Sequence, residues 1–279
     1  MADIHAVRAF WNAHPLWTGE SARETGTAEF FEEHRRVYID DCLAGGFDDR
    51  CLPPREAGKE PRVLDLGCGI GFWTAEFALR GYRRIVAADL TPQALEMTRR
   101  RLALLRLDAE VAEQNAEALT FPDASFDHVN CQGVVHHTPD TARAVAEIAR
   151  VLRPGGTASL SVYHRNALLR LWPVLRWIGR PLTWLGGGLK GRGRERIFLE
   201  ADVDEIVRLY DGAGNPIGKS YTRDRFLALL APHFEVGETF LHFFPARALP
   251  FRIPRWLHRW LDRRLGFMLY ANVRKPCAV

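Results

Sequence analysis

The sequence has 279 residues, of which 47 % are apolar and 26 % are charged. These fractions are typical of a globular protein and exclude a disordered or collagen-like chain, and the length suits one large domain or two small ones. The net charge is +4, but residues 1–162 carry 18 basic and 24 acidic side chains whereas residues 163–279 carry 20 and 10, so the positive excess lies in the C-terminal part.

The first elements in chain order are two helices, predicted over Ile4–Ala13 and Ala28–Leu43. The centre of the chain then alternates β-branched runs with helical patterns, which is typical of a parallel sheet covered by helices. The predicted strands are Arg62–Leu66, Arg84–Ala88, Ala109–Gln114, Phe126–Cys131 and Thr157–Tyr163. The predicted helices between them are Phe72–Arg80, Pro92–Leu105 and Thr141–Leu152, the last one stopped by an Arg-Pro-Gly-Gly run.

The last third of the chain begins with an insertion at residues 164–219, and five glycines within residues 186–194 predict a mobile loop in it. A helix over Arg223–Leu230 and strands over Phe234–His242 and Gly266–Arg274 follow. We therefore expect one domain made of a helical N-terminal cap (1–60), a ligand-binding core (61–163), the insertion, which acts as a lid (164–219), and the C-terminal end of the sheet (220–279).

The most informative segment is a glycine-rich turn after the first strand, Asp65-Leu66-Gly67-Cys68-Gly69-Ile70-Gly71-Phe72. Such a turn lets the backbone approach a nucleotide-type ligand at the carboxyl edge of the sheet. A dinucleotide fingerprint requires glycine where Phe72 stands, which argues against a dehydrogenase that binds NAD. The carboxylate of Asp65 would repel a pyrophosphate and attract an ammonium group.

Asp89 ends the second predicted strand, 18 residues after Gly71. A carboxylate at that position can accept hydrogen bonds from both hydroxyls of a ribose. A ribose and an ammonium group on one ligand indicate S-adenosylmethionine as the cofactor.

Three later segments extend the pattern, Asn115-Ala116-Glu117, Gly133-Val134-Val135-His136-His137 and Leu152-Arg153-Pro154-Gly155-Gly156. With the glycine turn and Asp89, the chain resembles the class I S-adenosylmethionine-dependent methyltransferases of the small-molecule type. The resemblance implies an α/β fold with a Rossmann-like, seven-stranded, mostly parallel sheet of order 3-2-1-4-5-7-6. It also implies a cofactor site around the methionine, ribose and adenine moieties, made of Asp65, Gly67, Gly69, Gly71, Asp89, Leu90, Asn115, Ala116 and Gln132.

Methyl transfer is an in-line displacement, and a general base is needed only when the acceptor must lose a proton. His136 and His137 follow the fourth strand at the carboxyl edge, so one of them is the proposed base, and the alternative is that both only pack or bond to the backbone. Acceptor contacts are predicted from the cap and the end of the fifth strand, although core packing is the alternative for the aromatic residues. These residues are Trp11, His14, Trp17, Tyr38, Tyr163 and His164.

Two basic segments, residues 165–196 and 247–264, hold five of the eight tryptophans. In the second segment a helix is predicted from Pro254, with Arg255, Arg259 and Arg263 on one face and Trp256, Leu257, Trp260, Leu261 and Leu265 on the other. Docking of the apolar face on the protein itself is the favoured interpretation. The alternative is that this helix and residues 168–185 contact an anionic membrane surface and receive a hydrophobic or lipid-linked acceptor. Nucleic acid is a less favoured partner, because the isoelectric point is about 8.9 and no RNA-binding module is recognisable.

The remaining features restrict location and chemistry. No apolar run of about 18 residues and no basic-then-apolar leader occurs, which predicts a cytoplasmic protein, with peripheral contact at the inner membrane face as a variant. The five cysteines are scattered and no metal-ligand spacing occurs, so reduced thiols and metal independence are expected. The predicted function is methyl transfer to a small organic acceptor at oxygen or nitrogen. A cofactor-binding partner subunit without activity and a tRNA or other nucleic-acid methyltransferase remain alternatives, and neither the acceptor nor the oligomeric state is predicted.

Overall fold

The computed structural model describes residues 3–55, 58–184, 198–212, 214–249 and 252–277. Within them the helices are α1 (Ile4–Ala13), α2 (Ala28–Val37), α3 (Phe72–Leu79), α4 (Pro92–Leu105), α5 (Thr141–Val151), α6 (Ala167–Arg170), α7 (Trp172–Trp184), α8 (Val203–Tyr210), α9 (Arg223–Leu230) and α10 (Arg255–Leu265). The strands are β1 (Arg62–Leu66), β2 (Arg84–Asp89), β3 (Glu110–Glu113), β4 (Phe126–Gln132), β5 (Leu152–His164), β6 (Ser220–Tyr221), β7 (Glu235–His242) and β8 (Met268–Arg274). None of the described helices is both long and apolar enough to span a membrane.

The strands form one sheet in the order β3-β2-β1-β4-β5-β8-β7. Strands β1 to β5 run parallel, and β8 pairs antiparallel with both β5 and β7. The two-residue β6, which was not predicted, pairs with the end of β5. Without β6 the strands follow the predicted order 3-2-1-4-5-7-6, so the predicted fold is confirmed.

The two faces of the sheet carry separate apolar cores because side chains alternate along each strand. Leu64 and Leu66 of β1 pack with α5 and α9, whereas Val63 belongs to the core around α3 and α8. Both α1 and α2 contact α4, and they lie next to the end of the sheet where the glycine turn begins. Parallel strands covered on both faces place their carboxyl ends at one exposed edge, where ligands bind in such folds.

Two predicted boundaries differ from the structure by several residues, and the helices of the insertion were not predicted. The second cap helix ends at Val37, and Tyr38–Cys42 continues as one turn of π-helix. Strand β5 begins at Leu152 because the Pro-Gly-Gly run stays extended: Gly155 has a φ of +75°, its N–H donates to the Lys275 carbonyl, and the Lys275 N–H donates to the Gly156 carbonyl. Helices α6, α7 and α8 inside the insertion were not predicted. The glycine-rich loop predicted at residues 186–194 lies outside the described residues.

The orientation predicted for α10 is wrong for its tryptophans. The side chains of Trp256 and Trp260 are 71 % and 54 % exposed, whereas His258 and Asp262 are buried. Asp262 faces the protein because its Oδ1 accepts the Phe244 N–H at 2.9 Å and its Oδ2 bonds His242 Nδ1 at 2.7 Å. Helix α10 therefore docks on β7 by way of a polar pair, and its aromatic side chains point outward.

Candidate cofactor and acceptor site

A cleft lies at the carboxyl ends of β1, β2 and β4, and α1 covers it. Of the residues predicted to bind the cofactor, Gly67, Gly69, Asp89, Leu90, Asn115, Ala116 and Gln132 line this cleft. Asp65 and Gly71 do not line it. Helix α1 contributes Ile4, Val7 and Trp11 to the lining.

The glycine turn approaches the cleft with its bare backbone. A Cβ atom at Gly67, which has a φ of +73°, would lie 2.2 Å from Val134 Cγ2. No atom lies within 4 Å of the position that a Cβ atom would take at Gly69. Gly71 has a φ of +75°, and its Cβ atom would meet the Cα atom of Thr98 in α4 at 3.2 Å. Gly67 and Gly71 thus allow close packing of the chain, while Gly69 leaves room for a ligand.

Asp89 is held by three hydrogen bonds at the tip of β2. Its Oδ2 accepts the Gly69 N–H at 3.0 Å, and its Oδ1 accepts the N–H and the hydroxyl of Thr91, each at 3.0 Å. Burial raises the pKa of the Asp89 carboxyl, and the bonds from Thr91 and Gly69 act in the opposite direction. Thr91 stands at the N-cap of α4, but its hydroxyl orients Asp89 instead of capping the helix.

Asp65 lies beneath the turn and is 1 % exposed. One carboxylate oxygen accepts the Thr74 hydroxyl at 2.5 Å, and the other accepts the Asn130 side-chain amide at 2.8 Å. Burial raises the pKa of Asp65 to about 6, although these two hydrogen bonds lower it. Asp65 therefore ties β1 to α3 and β4, and any effect on a ligand in the cleft is through its charge and through the turn above it.

Gln132 supplies the polar atom that best fits a cationic ligand. Its Nε2 donates to Ser159 Oγ at 2.8 Å and to Asn130 Oδ1 at 3.0 Å, which fixes the amide orientation. Its Oε1 is buried, and no group in the described ranges donates to it. An unpartnered buried acceptor is costly, and a bound ammonium or amide donor in the cleft would satisfy it.

The two adjacent histidines have different surroundings. His136 is fully buried outside the cleft, its ring nitrogens have no hydrogen-bond partner within the described part of the chain, and burial lowers its pKa well below the usual range. His137 lines the cleft, and its Nδ1 lies 2.7 Å from the Ile217 carbonyl oxygen. Because a carbonyl oxygen only accepts, Nδ1 carries the proton and Nε2 has the lone pair of the neutral ring.

Asp211, Ile217 and Lys219 of the insertion contact the loop that carries the two histidines. His137 Nε2 lies 3.5 Å from Asp211 Oδ2, and Asp211 Oδ1 accepts the Tyr163 hydroxyl at 2.8 Å. Lys219 Nζ donates to the Thr138 and Pro139 carbonyl oxygens at 2.8 and 2.9 Å. Neither Asp211 nor Lys219 was predicted, because residues so distant in sequence give no local pattern.

The predicted acceptor residues are scattered. Trp11 lines the cleft and its ring lies edge-on to that of His137, with centroids 5.1 Å apart. His14 is exposed and stacks on Phe10. The side chains of Trp17 and Tyr38 pack in apolar clusters away from the cleft, Tyr163 is buried against His136, and His164 lines a different cavity.

Further cleft residues were not predicted. Thr138 directly follows the histidines, and Gln114 directly precedes Asn115, so both lay next to recognised segments. Val134 and the α1 residues Ile4 and Val7 carry no signal beyond apolar character. No group of three His, Cys, Asp or Glu side chains in the described ranges is arranged to hold a metal ion.

The sequence matches a known protein family and several known proteins. Residues 64–160 match the family profile described as a methyltransferase domain. The chain is 35 % identical over 177 residues to a ubiquinone biosynthesis O-methyltransferase of Azoarcus sp. (strain BH72), which covers 61 % of this chain and 74 % of that relative. It is 33 % identical over 144 residues to a protein of the same name from Alkalilimnicola ehrlichii, covering 50 % of this chain and about half, 52 %, of the relative's length.

Solved structures show the same fold at low identity. A protein from Haloferax volcanii, solved in complex with a methyltransferase activator, superposes with a TM-score of 0.58 at 17 % identity, covering 98 % of this chain and 99 % of the other. A SAM-dependent methyltransferase from Methanosarcina mazei gives 0.52 at 21 % identity, covering 79 % and 95 %.

Proposed function

The chain belongs to the class I S-adenosylmethionine-dependent methyltransferases, and on that premise we propose that it transfers the methyl group of this cofactor to a small organic acceptor, at oxygen or nitrogen. The observation that carries the proposal is that one cleft brings the Asp89 carboxylate, the open backbone at Gly69 and the His137 ring together. The O-methyltransferase relatives support oxygen as the acceptor atom.

The residues of the cleft fit the cofactor in three respects. Asp89, fixed by Gly69 and Thr91, would accept hydrogen bonds from the ribose hydroxyls, with Leu90 and Ala116 beside the base. Asn115 Oδ1 already accepts the Glu117 N–H at 3.0 Å and keeps a second lone pair for an adenine amino group. Gln132 Oε1 would accept from the ammonium group. When bound, the cofactor supplies a methyl group on a positively charged sulfur.

We assign the proton-accepting role to His137 and not to His136. The Ile217 carbonyl fixes the tautomer of His137, so Nε2 is the nitrogen able to take a proton from an acceptor hydroxyl. Asp211 near that nitrogen would stabilise the ring once it becomes positively charged. His136 is buried outside the cleft and would only pack beneath the loop.

Helix α1 is the proposed lid over the reacting groups. It is attached by the Arg8–Glu113 ion pair at 2.6 Å and by Asn12 Oδ1, which accepts the Gln93 N–H at 3.2 Å. Among its side chains, Val7 is buried and Trp11 lies against His137. Apolar lid residues exclude water from the cleft and favour a hydrophobic acceptor.

The substitution His137→Asn tests this assignment, because the asparagine amide can still donate to the Ile217 carbonyl but cannot accept a proton. We expect unchanged affinity for S-adenosylhomocysteine in calorimetry. We also expect turnover of a phenol or amine acceptor, found by screening wild-type protein, to fall by roughly 10²–10⁴-fold.

The matched control is His5→Asn, an exposed histidine on α1 outside the cleft lining, which should behave as wild type. Turnover by His137→Asn within about threefold of wild type would contradict the role of His137. Failure of the wild-type protein to methylate any phenol, alcohol or amine while it binds the cofactor would contradict the proposed function itself.

We also propose that two surfaces of the protein meet an anionic membrane, so that a lipid-linked acceptor can reach the cleft. Outward side chains of α7 and of Leu171, which joins α6 to α7, are 57–72 % exposed; those of α7 are Val174, Trp177 and Ile178. On α10 the exposed Trp256 and Trp260 alternate with arginines. Exposed apolar and aromatic side chains among cations suit the interface of an anionic bilayer.

A further inference from the structure

A second cavity lies beside β7, the strand at one edge of the sheet. We call it the edge cavity; its volume is about 970 Å³, and it is bounded by residues 43–50, the end of β7 and one face of α10. It shares no lining residue with the cofactor cleft. No part of the proposed methyl transfer uses it.

The acidic residues deepest in this cavity are already neutralised by the protein. His242 Nδ1 lies 2.7 Å from Asp262 Oδ2, and its Nε2 lies 2.8 Å from Asp48 Oδ2. Because carboxylates only accept, both ring nitrogens carry protons and the imidazole is a cation. The other oxygen of Asp48 accepts from the backbone and the side chain of Arg50 at 2.9 and 3.0 Å.

Three arginines of the lining have guanidinium N–H groups that form no ion pair within the described residues. No carboxylate in the described ranges lies within ion-pair distance of Arg223 or Arg263, and Arg259 makes one long bond, from Nε to the Ala44 carbonyl at 3.3 Å. Counting His242 and Arg50, the lining holds five cations against Asp48, Asp49 and Asp262, and Glu238 outside the lining pairs with Arg50 at 2.8 Å. The cavity therefore keeps a net positive charge.

Arg223 is the first residue of α9, where a cation opposes the helix dipole although Asp224 follows it in the same turn. Three guanidinium groups around one space match an anion that has several acceptor oxygens, and guanidinium is the side chain best suited to phosphate.

We propose that the edge cavity binds a phosphate ester through Arg223, Arg259 and Arg263. The ligand is either a soluble phosphate ester or the headgroup of an anionic phospholipid. The exposed Trp256 and Trp260 stand on the same helix as Arg259 and Arg263, so a headgroup held there would leave the tryptophans at the level of the lipid interface.

The test compares two double variants that remove equal charge. Arg223→Gln/Arg263→Gln changes the cavity, whereas Arg255→Gln/Arg264→Gln changes exposed arginines of α10 that do not line it. Each protein is titrated with glycerol 3-phosphate by calorimetry, and with phosphatidylglycerol-containing vesicles by co-sedimentation. Thermal unfolding checks that all of them fold.

We expect the cavity variant to bind at least about tenfold more weakly, because each charge-assisted hydrogen bond lost is worth a factor of that order. The control should stay within about twofold in the calorimetric arm. Binding of glycerol 3-phosphate identifies a site for soluble esters. Without it, vesicle binding that falls further in the cavity variant than in the control identifies a headgroup site. Absence of binding in both arms, or equal losses for the two variants, overturns the proposal, and neither result depends on methyl transfer.

Discussion

Asp65 shows how a residue can be recognised from the sequence while its surroundings in the fold are not. Its position before three glycines predicted a direct partner for an ammonium group, but strand alternation turns it away from Leu64 and Leu66 and under the turn. Its partners Thr74 and Asn130 come from α3 and β4, and no local sequence pattern predicts these contacts. Asp89 was easier to place because it ends its strand at the exposed edge.

The substitution Asp89→Ala should weaken cofactor binding strongly. It removes the proposed acceptor for the ribose hydroxyls and also leaves the Gly69 and Thr91 N–H groups without their partner. Loss of charge-assisted hydrogen bonds of this kind costs about 1.5–3 kcal/mol each, so we expect affinity for S-adenosylhomocysteine to fall more than about tenfold in calorimetry.

The control for this measurement is Asp123→Ala, whose carboxylate is 78 % exposed and pairs with Arg150 outside the cleft. It should bind the cofactor as wild type does. An unchanged affinity in Asp89→Ala would remove Asp89 from the cofactor site.

At the scale of whole elements, the strands were predictable and the face of α10 was not. The strands of the core are apolar runs bounded by turns, and these signals are local. On α10 the apolar side chains span a wide arc, so periodicity alone allowed the tryptophans to face inward. The buried face was decided by Asp262 and His258, which bond to His242 and to the Phe244 carbonyl across the fold. Polar residues that are buried by a distant partner mislead any pattern based on hydrophobicity.

The outward tryptophans of α10 give the membrane proposal a direct test. The double variant Trp256→Ala/Trp260→Ala should keep its fold, because both side chains are more than half exposed. Binding to vesicles that contain phosphatidylglycerol should fall several-fold in co-sedimentation, since indole rings contribute much of the affinity of interfacial helices.

A matched control is Leu104→Ala/Leu105→Ala, which removes two other exposed apolar side chains, 48 % and 45 % exposed, from α4. This control should bind vesicles as wild type does. If both variants bind equally well, the tryptophans of α10 do not meet the membrane.

For the molecule as a whole, the sheet order came from the resemblance to a family, while the links between distant segments came from the structure alone. Asp48 lies before β1, His242 ends β7 and Asp262 is on α10, yet they form one buried group. Likewise, Ile217 and Lys219 of the insertion fix the histidine loop after β4. Such contacts join residues many tens of positions apart, so single-sequence reasoning has no periodicity or spacing from which to derive them.

The buried His242 group should make stability depend on pH. Burial lowers the pKa of His242, but hydrogen bonds to Asp262 and Asp48 outweigh it and raise the pKa above the usual 6.5. A group with a raised pKa contributes its full stability below the unfolded value and loses it as the pH rises through the folded value. The pKa of Asp48 is lowered: burial opposes this, but the bonds from His242 and Arg50 dominate, so its contribution is lost only toward acid pH.

We therefore expect His242→Gln to unfold more easily than wild type by about 3–5 kcal/mol at pH 6, the usual cost of breaking a buried ion pair. Above pH 6.5 the deficit should shrink, because the histidine of the unfolded wild-type chain is then neutral and folding has to bind a proton. The folded ring itself becomes neutral, between two carboxylates, only as the pH rises through its raised pKa. Urea unfolding of both proteins from pH 5 to pH 9 measures the difference, in which the titration of Asp65 and of the other histidines cancels. His5→Gln, an exposed change, should show no such trend. A deficit that stays constant from pH 6 to pH 9 would mean that His242 is held as a neutral ring, and that the positive excess of the edge cavity is one charge smaller.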